Sequence, residues 1–490
     1  MRACLVATRI VLTLAVLAMP LAGQERRLGS LTFPNSGAPQ AQAAFIQGVL
    51  LLHSFEFEDA ATEFREAQKA DPTFAMAYWG EAMTYNHPLW REQDGDAARA
   101  VLGRYAPTPE ARARKAPTER ERGYLQAVDV LYGPGDKAER DRKYMEAMAD
   151  LSARYPDDLE ARAFHALAIL GSTDGERDFA TYMRGAATAQ PVFEANPLHP
   201  GAVHYLIHSF DDPVHAPLGL NAARAYSEIA PDAGHAQHMT SHIFVAMGLW
   251  DDVVAANIRA RNVQNARLAE LGRQPNVCGH YTSWLHYGWL MTGQSEDAEE
   301  GMRACLDRVR AGGRPDELGY YANMRARHVF DTEDWEAADR LGIDFEGPLR
   351  ARAEYDFVSA FAYYHLGRTE GAEALHAGLR RLLESRADEQ PRLTIMVTEL
   401  DALAAVARGD GDQAVALLRS AADLEATLPF EFGPPASPKP PHELLAEVLL
   451  GMERTEEAET AFREALSFTP GRTPSTRGLA QARAALSAGR

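Results

Sequence analysis

The chain has 490 residues, 46% hydrophobic, 24% charged and 9% aromatic, the proportions of a soluble globular protein able to bury a large core. Fifty basic against 69 acidic side chains leave a formal charge of −19. That balance removes the attraction to phosphate that drives binding to nucleic acid and anionic membranes, so neither partner is expected. No nucleotide loop, H-E-x-x-H, C-x-x-C or G-x-S-x-G occurs, and His442-Glu443 runs into Leu444-Leu445-Ala446. The linear sequence names no reaction.

Residues 1–23 read as a secretory signal: Arg2 and Arg9, an apolar run over 10–19, then Pro20-Leu21-Ala22-Gly23. The run is shorter than the roughly 20 residues a membrane helix needs, so no span is expected once the signal is cleaved. Leu21-Ala22-Gly23 resembles the start of a bacterial lipoprotein cleavage site, but Gln24 stands where the lipidated cysteine would be. The expected location is periplasmic or secreted. Residues 24–40 form an N-terminal extension.

Over 41–90, Ala-rich amphipathic stretches broken by Gly, Pro or Asp point to helical hairpins. Gly48, Phe57, Ala60, Phe64, Ala67 and Pro72 fall where small residues let two helices approach, aromatics fill the gap and a proline ends the second helix. Here the chain resembles the tetratricopeptide repeat (TPR) family, in a bacterial secreted type; the family's repeat is about 34 residues. Further copies carry Gly248, Trp250, Val253 and Ala260, then Ala298, Ala338, Ala372, Ala414 and Ala458. The intervals between those last five are 40, 34, 42 and 44 residues, so most repeats carry longer loops. The expected fold is all-α, a right-handed α-solenoid of about ten TPR-like hairpins.

Within 91–156, residues 91–117 hold Pro107, Pro109 and Pro117 and read as a long loop, followed by an extended helix pair over 118–132 and 136–155. The central repeats, 157–427, contain the densest chemistry. Nine of the 16 histidines fall between His199 and His286. His204 and His208 are four apart, as are His238 and His242, so each pair stands on one helical face. Aligned on the aromatic that follows, the pairs occupy equivalent places on consecutive first helices. The resemblance implies that such helices line a concave groove. His235 and His280 share that face, and Glu81 does so in the second repeat. An i,i+4 imidazole pair is a two-nitrogen clamp for a metal, with Zn, Cu or Fe as candidate ions. The same imidazoles can instead hydrogen-bond a ligand or a backbone carbonyl. Asp211 and Asp212 read as helix-end residues able to orient an imidazole, and core is the default for all six tryptophans.

Asn323 and Arg327, again four apart, resemble the polar clamp by which some repeats of this family hold a peptide carboxylate. Cys278 starts one helix and Cys305 lies late in the next, so they could pair; two free thiols, or a sulfur offered to copper from Cys278-Gly279-His280, remain the alternatives. Residues 428–441 are a stiff proline-rich link, and 442–490 hold the last repeat and a capping helix. The leading functional reading is an exported scaffold whose His-lined groove binds a protein, peptide or small ligand through Glu81, His235, His280, Asn323 and Arg327. The alternative is a metal-dependent hydrolase or oxidase with its ion on His204, His208, His238 and His242. Catalysis stays open.

Overall fold

A computed structural model describes residues 26–173, 177–385, 390–430 and 432–488; the expected signal over 1–23 lies outside them. Among the described residues the chain forms 24 helices and one two-residue ribbon, Asn86–His87 against Glu92–Gln93. Successive helices pack antiparallel into TPR-like hairpins stacked as an α-solenoid. None is long and apolar enough to cross a membrane.

The first hairpin shows why the sequence folds this way. Ala60, Phe64 and Ala67 of the Phe57–Ala70 helix are buried against the Pro39–His53 helix. The Phe64 ring lies between Gly48 and Gly80, and a methyl group at Gly48 would stand 2.8 Å from it. Small-over-aromatic packing therefore sets the interhelix distance. Four later turns place glycine in the left-handed region, Gly248, Gly293, Gly367 and Gly409, with φ of 68°, 77°, 68° and 80°.

Residues 91–117 are not a long loop. They form the Gly95–Tyr105 and Pro109–Lys115 helices. Asp94 caps the first by accepting from the Ala97 N–H, and Thr108 caps the second by accepting from the Ala111 N–H. Pro109 sits at a helix start, where its missing N–H costs nothing, so the prolines mark beginnings rather than irregular chain.

Both ends of the solenoid fold back on its middle. Arg26 pairs with Asp59 and donates to the Asp232 carbonyl (2.9 Å). At the other end Trp250 Nε1 donates to the Gly471 carbonyl (2.7 Å). Arg472, fully buried, pairs with Asp331 and with Glu443 (2.9 and 3.0 Å) and donates to the Tyr287 hydroxyl (3.2 Å). Cys278 and Cys305 form a disulfide, their Cα atoms 4.5 Å apart, so neither offers copper a free thiolate.

Candidate metal centre

Three consecutive first helices build the site: Pro200–Phe210, Gly234–Ala246 and His280–Met291. His204 and His208 lie on the first, His235, His238 and His242 on the second, and His280 opens the third. The six imidazoles divide into two sets, His204/His208/His235 and His238/His242/His280. Within each set, one ligand atom per residue lies within 4.8 Å of the others. The four histidines expected to share one ion are thus separated, and His235 and His280, expected to touch an organic ligand, complete the two sets. The rule is the same in both: an i,i+4 pair plus a histidine from the first turn of the next hairpin.

The hydrogen bonds fix which nitrogen each ring presents. His204 Nδ1 donates to the His53 carbonyl (2.7 Å). His238 Nδ1 donates to Asn257 Oδ1 (2.7 Å); Asn257 Nδ2 is itself committed to the Val253 carbonyl (2.9 Å), so its oxygen must accept. His242 Nδ1 donates to Asp211 Oδ2 (2.6 Å). His238 Nε2 and His242 Nε2 face each other at 3.2 Å, with both Nδ1 atoms committed to acceptors. Two ring nitrogens at that distance share a cation between them, a proton or a metal ion. An ion about 2.1 Å from each would subtend an angle of about 100°, within the range of ordinary coordination. His204 Nε2 and His208 Nε2 face each other at 3.1 Å, and His235 Nε2 is buried without a hydrogen-bond partner.

Burial favours the neutral form of His204, His208, His235 and His238, the form that binds metal. It lowers the His204 pKa to about 3, and it pushes those of His208, His235 and His238 well below 6.5, with neighbouring imidazoles adding to the effect. The walls are aromatic. Phe55 packs on His204 (ring centroids 4.3 Å apart) and His235 (5.5 Å); Trp284 packs on His242 (4.4 Å) and His238 (4.7 Å). Trp90, expected in the core, is 50% exposed and lies 5.8 Å from His235. His280 alone of the six is exposed, so the second set is the one that meets solvent.

Phe55 was not legible as a site residue. It occupies the hairpin turn where four later turns have glycine, and its φ is +56°. A bulky residue in the left-handed region costs about 1–2 kcal/mol, and such strain clusters at functional sites. Glu333 and Glu453 hold the same conformation at other turns, so a missing glycine did not by itself mark Phe55.

A third group, His53, Glu160 and His199, is closed. Glu160 accepts from His53 Nε2 (2.8 Å) and His199 Nε2 (3.0 Å), while His53 Nδ1 accepts from the Tyr205 hydroxyl (2.8 Å) and His199 Nδ1 from the Ala202 N–H (3.1 Å). Every nitrogen is used, and this network braces the His53 carbonyl that orients His204. Asp211 orients His242, while Asp212 accepts from the Val214 and His215 N–H groups and from His215 Nδ1 (2.9 Å each) and pairs with Arg177 (3.0 Å).

The remaining expected ligand residues are engaged inside the chain. Glu81 is buried among Arg65 (3.2 Å), Gln68 (2.6 Å) and Arg104, away from the histidines. Arg327 donates to the Pro435 carbonyl (2.9 Å) and to Asn323 Oδ1 (2.9 Å), and Asn323 donates to Glu354 (3.1 Å). The clamp expected to hold a foreign carboxylate therefore grips the chain's own proline-rich link. Gly433 of that link lies directly on Trp284, where any side chain would collide with the ring.

No family model matches the chain, and no curated protein matches it. Among solved structures it is similar to yeast Tom70, with 11% identity, a TM-score of 0.32 and coverage of 92% of this chain and 90% of that one. It is also similar to the P58(IPK) TPR domain, with 12% identity, a TM-score of 0.24 and coverage of 92% and 99%. An IFIT1 monomeric mutant with m7Gppp-AAAA gives 11% identity, a TM-score of 0.39 and coverage of 88% and 94%. Likeness at this level extends to stacked helical hairpins and says nothing of ligands.

Proposed function

We propose that this protein is an exported metalloprotein in which a TPR-like solenoid serves as the frame of a six-histidine metal centre. The observation that carries this reading is the convergence of His238, His242 and His280, with His238 Nε2 and His242 Nε2 facing at 3.2 Å and both Nδ1 atoms committed to acceptors. The reading of the concave face as an open peptide groove is weakened by the proline-rich link, which occupies Arg327 and covers Trp284. Three imidazoles leave an ion with an open position, the arrangement of reactive rather than purely structural metal sites.

Elemental analysis of the untagged protein, purified without chelator, is the test. Stoichiometric metal is expected in the wild type and loss of metal in the His238→Ala/His242→Ala variant, with helical circular dichroism unchanged. A folded wild type free of metal, and unable to take up zinc or copper on titration, would overturn the reading.

A further inference from the structure

Resting on that metal reading, we infer that the two histidine sets act as one centre, a pair of copper ions with three imidazoles each, that takes up dioxygen between them. The sets share a border: the rings of His208 and His242 are 6.1 Å apart, centroid to centroid, and those of His235 and His238 are 6.3 Å apart. Ions held by rings so placed are close neighbours, and paired-metal sites that share a bridging ligand have ions about 3.5–4 Å apart.

The donors select copper. All six are imidazole nitrogens, with no carboxylate or thiolate among them, and imidazole suits copper, which heads the affinity order of the divalent series. Charge argues in the same direction. Two divalent zinc ions would bring four positive charges into a site whose only carboxylate on a ligand ring is Asp211, at His242. Two Cu(I) ions bring two, and the cost of burying an ion rises steeply with its charge.

The uptake step balances without a proton. Each Cu(I) loses one electron and becomes Cu(II); dioxygen gains both, its double bond becomes a single bond, and the resulting peroxide bridges the two ions. The total charge of the centre is the same before and after, so an apolar surround does not oppose the step. Phe55 and Trp284 exclude water that would protonate the peroxide, and the exposed His280 marks the edge by which dioxygen enters.

The test is anaerobic titration of the metal-free full chain with Cu(I), followed by exposure to oxygen. Two copper ions per chain are expected. On oxygenation a near-ultraviolet charge-transfer band should appear without any Cu(II) electron paramagnetic resonance signal, because the bridged ions couple. The His235→Ala and His280→Ala variants should each keep one copper, give an uncoupled Cu(II) signal after oxidation and show no band. His280 is exposed, so its replacement spares the core. Two coppers with full, uncoupled signals after oxygen would overturn the pairing while leaving the metal reading intact. Failure of the folded chain to bind any Cu(I) while it retains zinc would overturn the assignment of copper, and failure to bind either ion would overturn both readings.

Discussion

At the scale of single residues, the centre rests on side chains that the helical phase does not reveal. Phe55 holds a left-handed backbone conformation and covers three imidazoles, its ring 6.0 Å from that of His208. Phe55→Gly relieves about 1–2 kcal/mol of backbone strain and forfeits about 1.5–3 kcal/mol of ring burial. The variant should therefore melt only slightly below wild type, yet, once loaded with added zinc or copper, release the ion to a chelator several-fold faster; an unchanged release rate would show that the ring is packing and nothing more. The buried histidines also set a pH dependence. His53 and His204 are held below the ordinary imidazole value by burial, His204 at about 3, whereas an unfolded imidazole takes up its proton near 6.5. Between those values the unfolded chain binds protons that the folded chain cannot, so stability falls as pH drops through 6.5. Glu160, held at about 2 by His199 and His53 against the cost of its burial, acts in the same direction below about 4.5. The metal-free protein should thus melt lower at pH 5 than at pH 7.5, and an equal or higher Tm at pH 5 would contradict this account.

At the scale of elements, hairpins were legible wherever small and aromatic residues alternate at helical spacing, as at Gly48, Ala60 and Phe64. Residues 91–117 misled because proline breaks a helix and also starts one, and only the caps at Asp94 and Thr108 tell the two apart. The i,i+4 histidine pairs were legible for the same geometric reason as the hairpins. Their division into two sets was not, because the third histidine of each comes from a neighbouring hairpin, and phase gives a side chain's direction without its partner. Glu81 and Arg327 show the same limit, since each found its partners within the chain. The Cys278–Cys305 disulfide ties the start of the His280–Met291 helix to Ser295–Arg310 across 27 residues. A crosslink of that span contributes about 3 kcal/mol. The double Cys→Ser variant should melt lower by that order and lose affinity in the His238/His242/His280 set before the other, which competition titration would resolve; equal affinity in both sets would show that the bond does not position His280.

At the scale of the whole molecule, the solenoid is closed at both ends. Arg472 sits among Asp331, Glu443 and Tyr287, all buried. Arg472→Ala strands the buried Asp331 carboxylate and leaves Glu443 with Lys439 and Ser475 alone, and breaking such a network costs about 3–5 kcal/mol. That substitution should lower the denaturant midpoint far more than Arg327→Ala, which frees one carbonyl of the link; the reverse order would show that the link, and not the terminal clasp, closes the structure.

The clasped ends have a mechanical consequence. An array of hairpins with free ends behaves as a spring, each joint contributing a little bend, and thermal motion stretches and shortens it as a whole. Here the N-terminal arm is fastened near Asp232 and the C-terminal segment near Trp250 and Asp331, so the coil is sutured to its own waist. The span between the two histidine sets is then governed by the stiffness of the frame and not by whatever the sets hold.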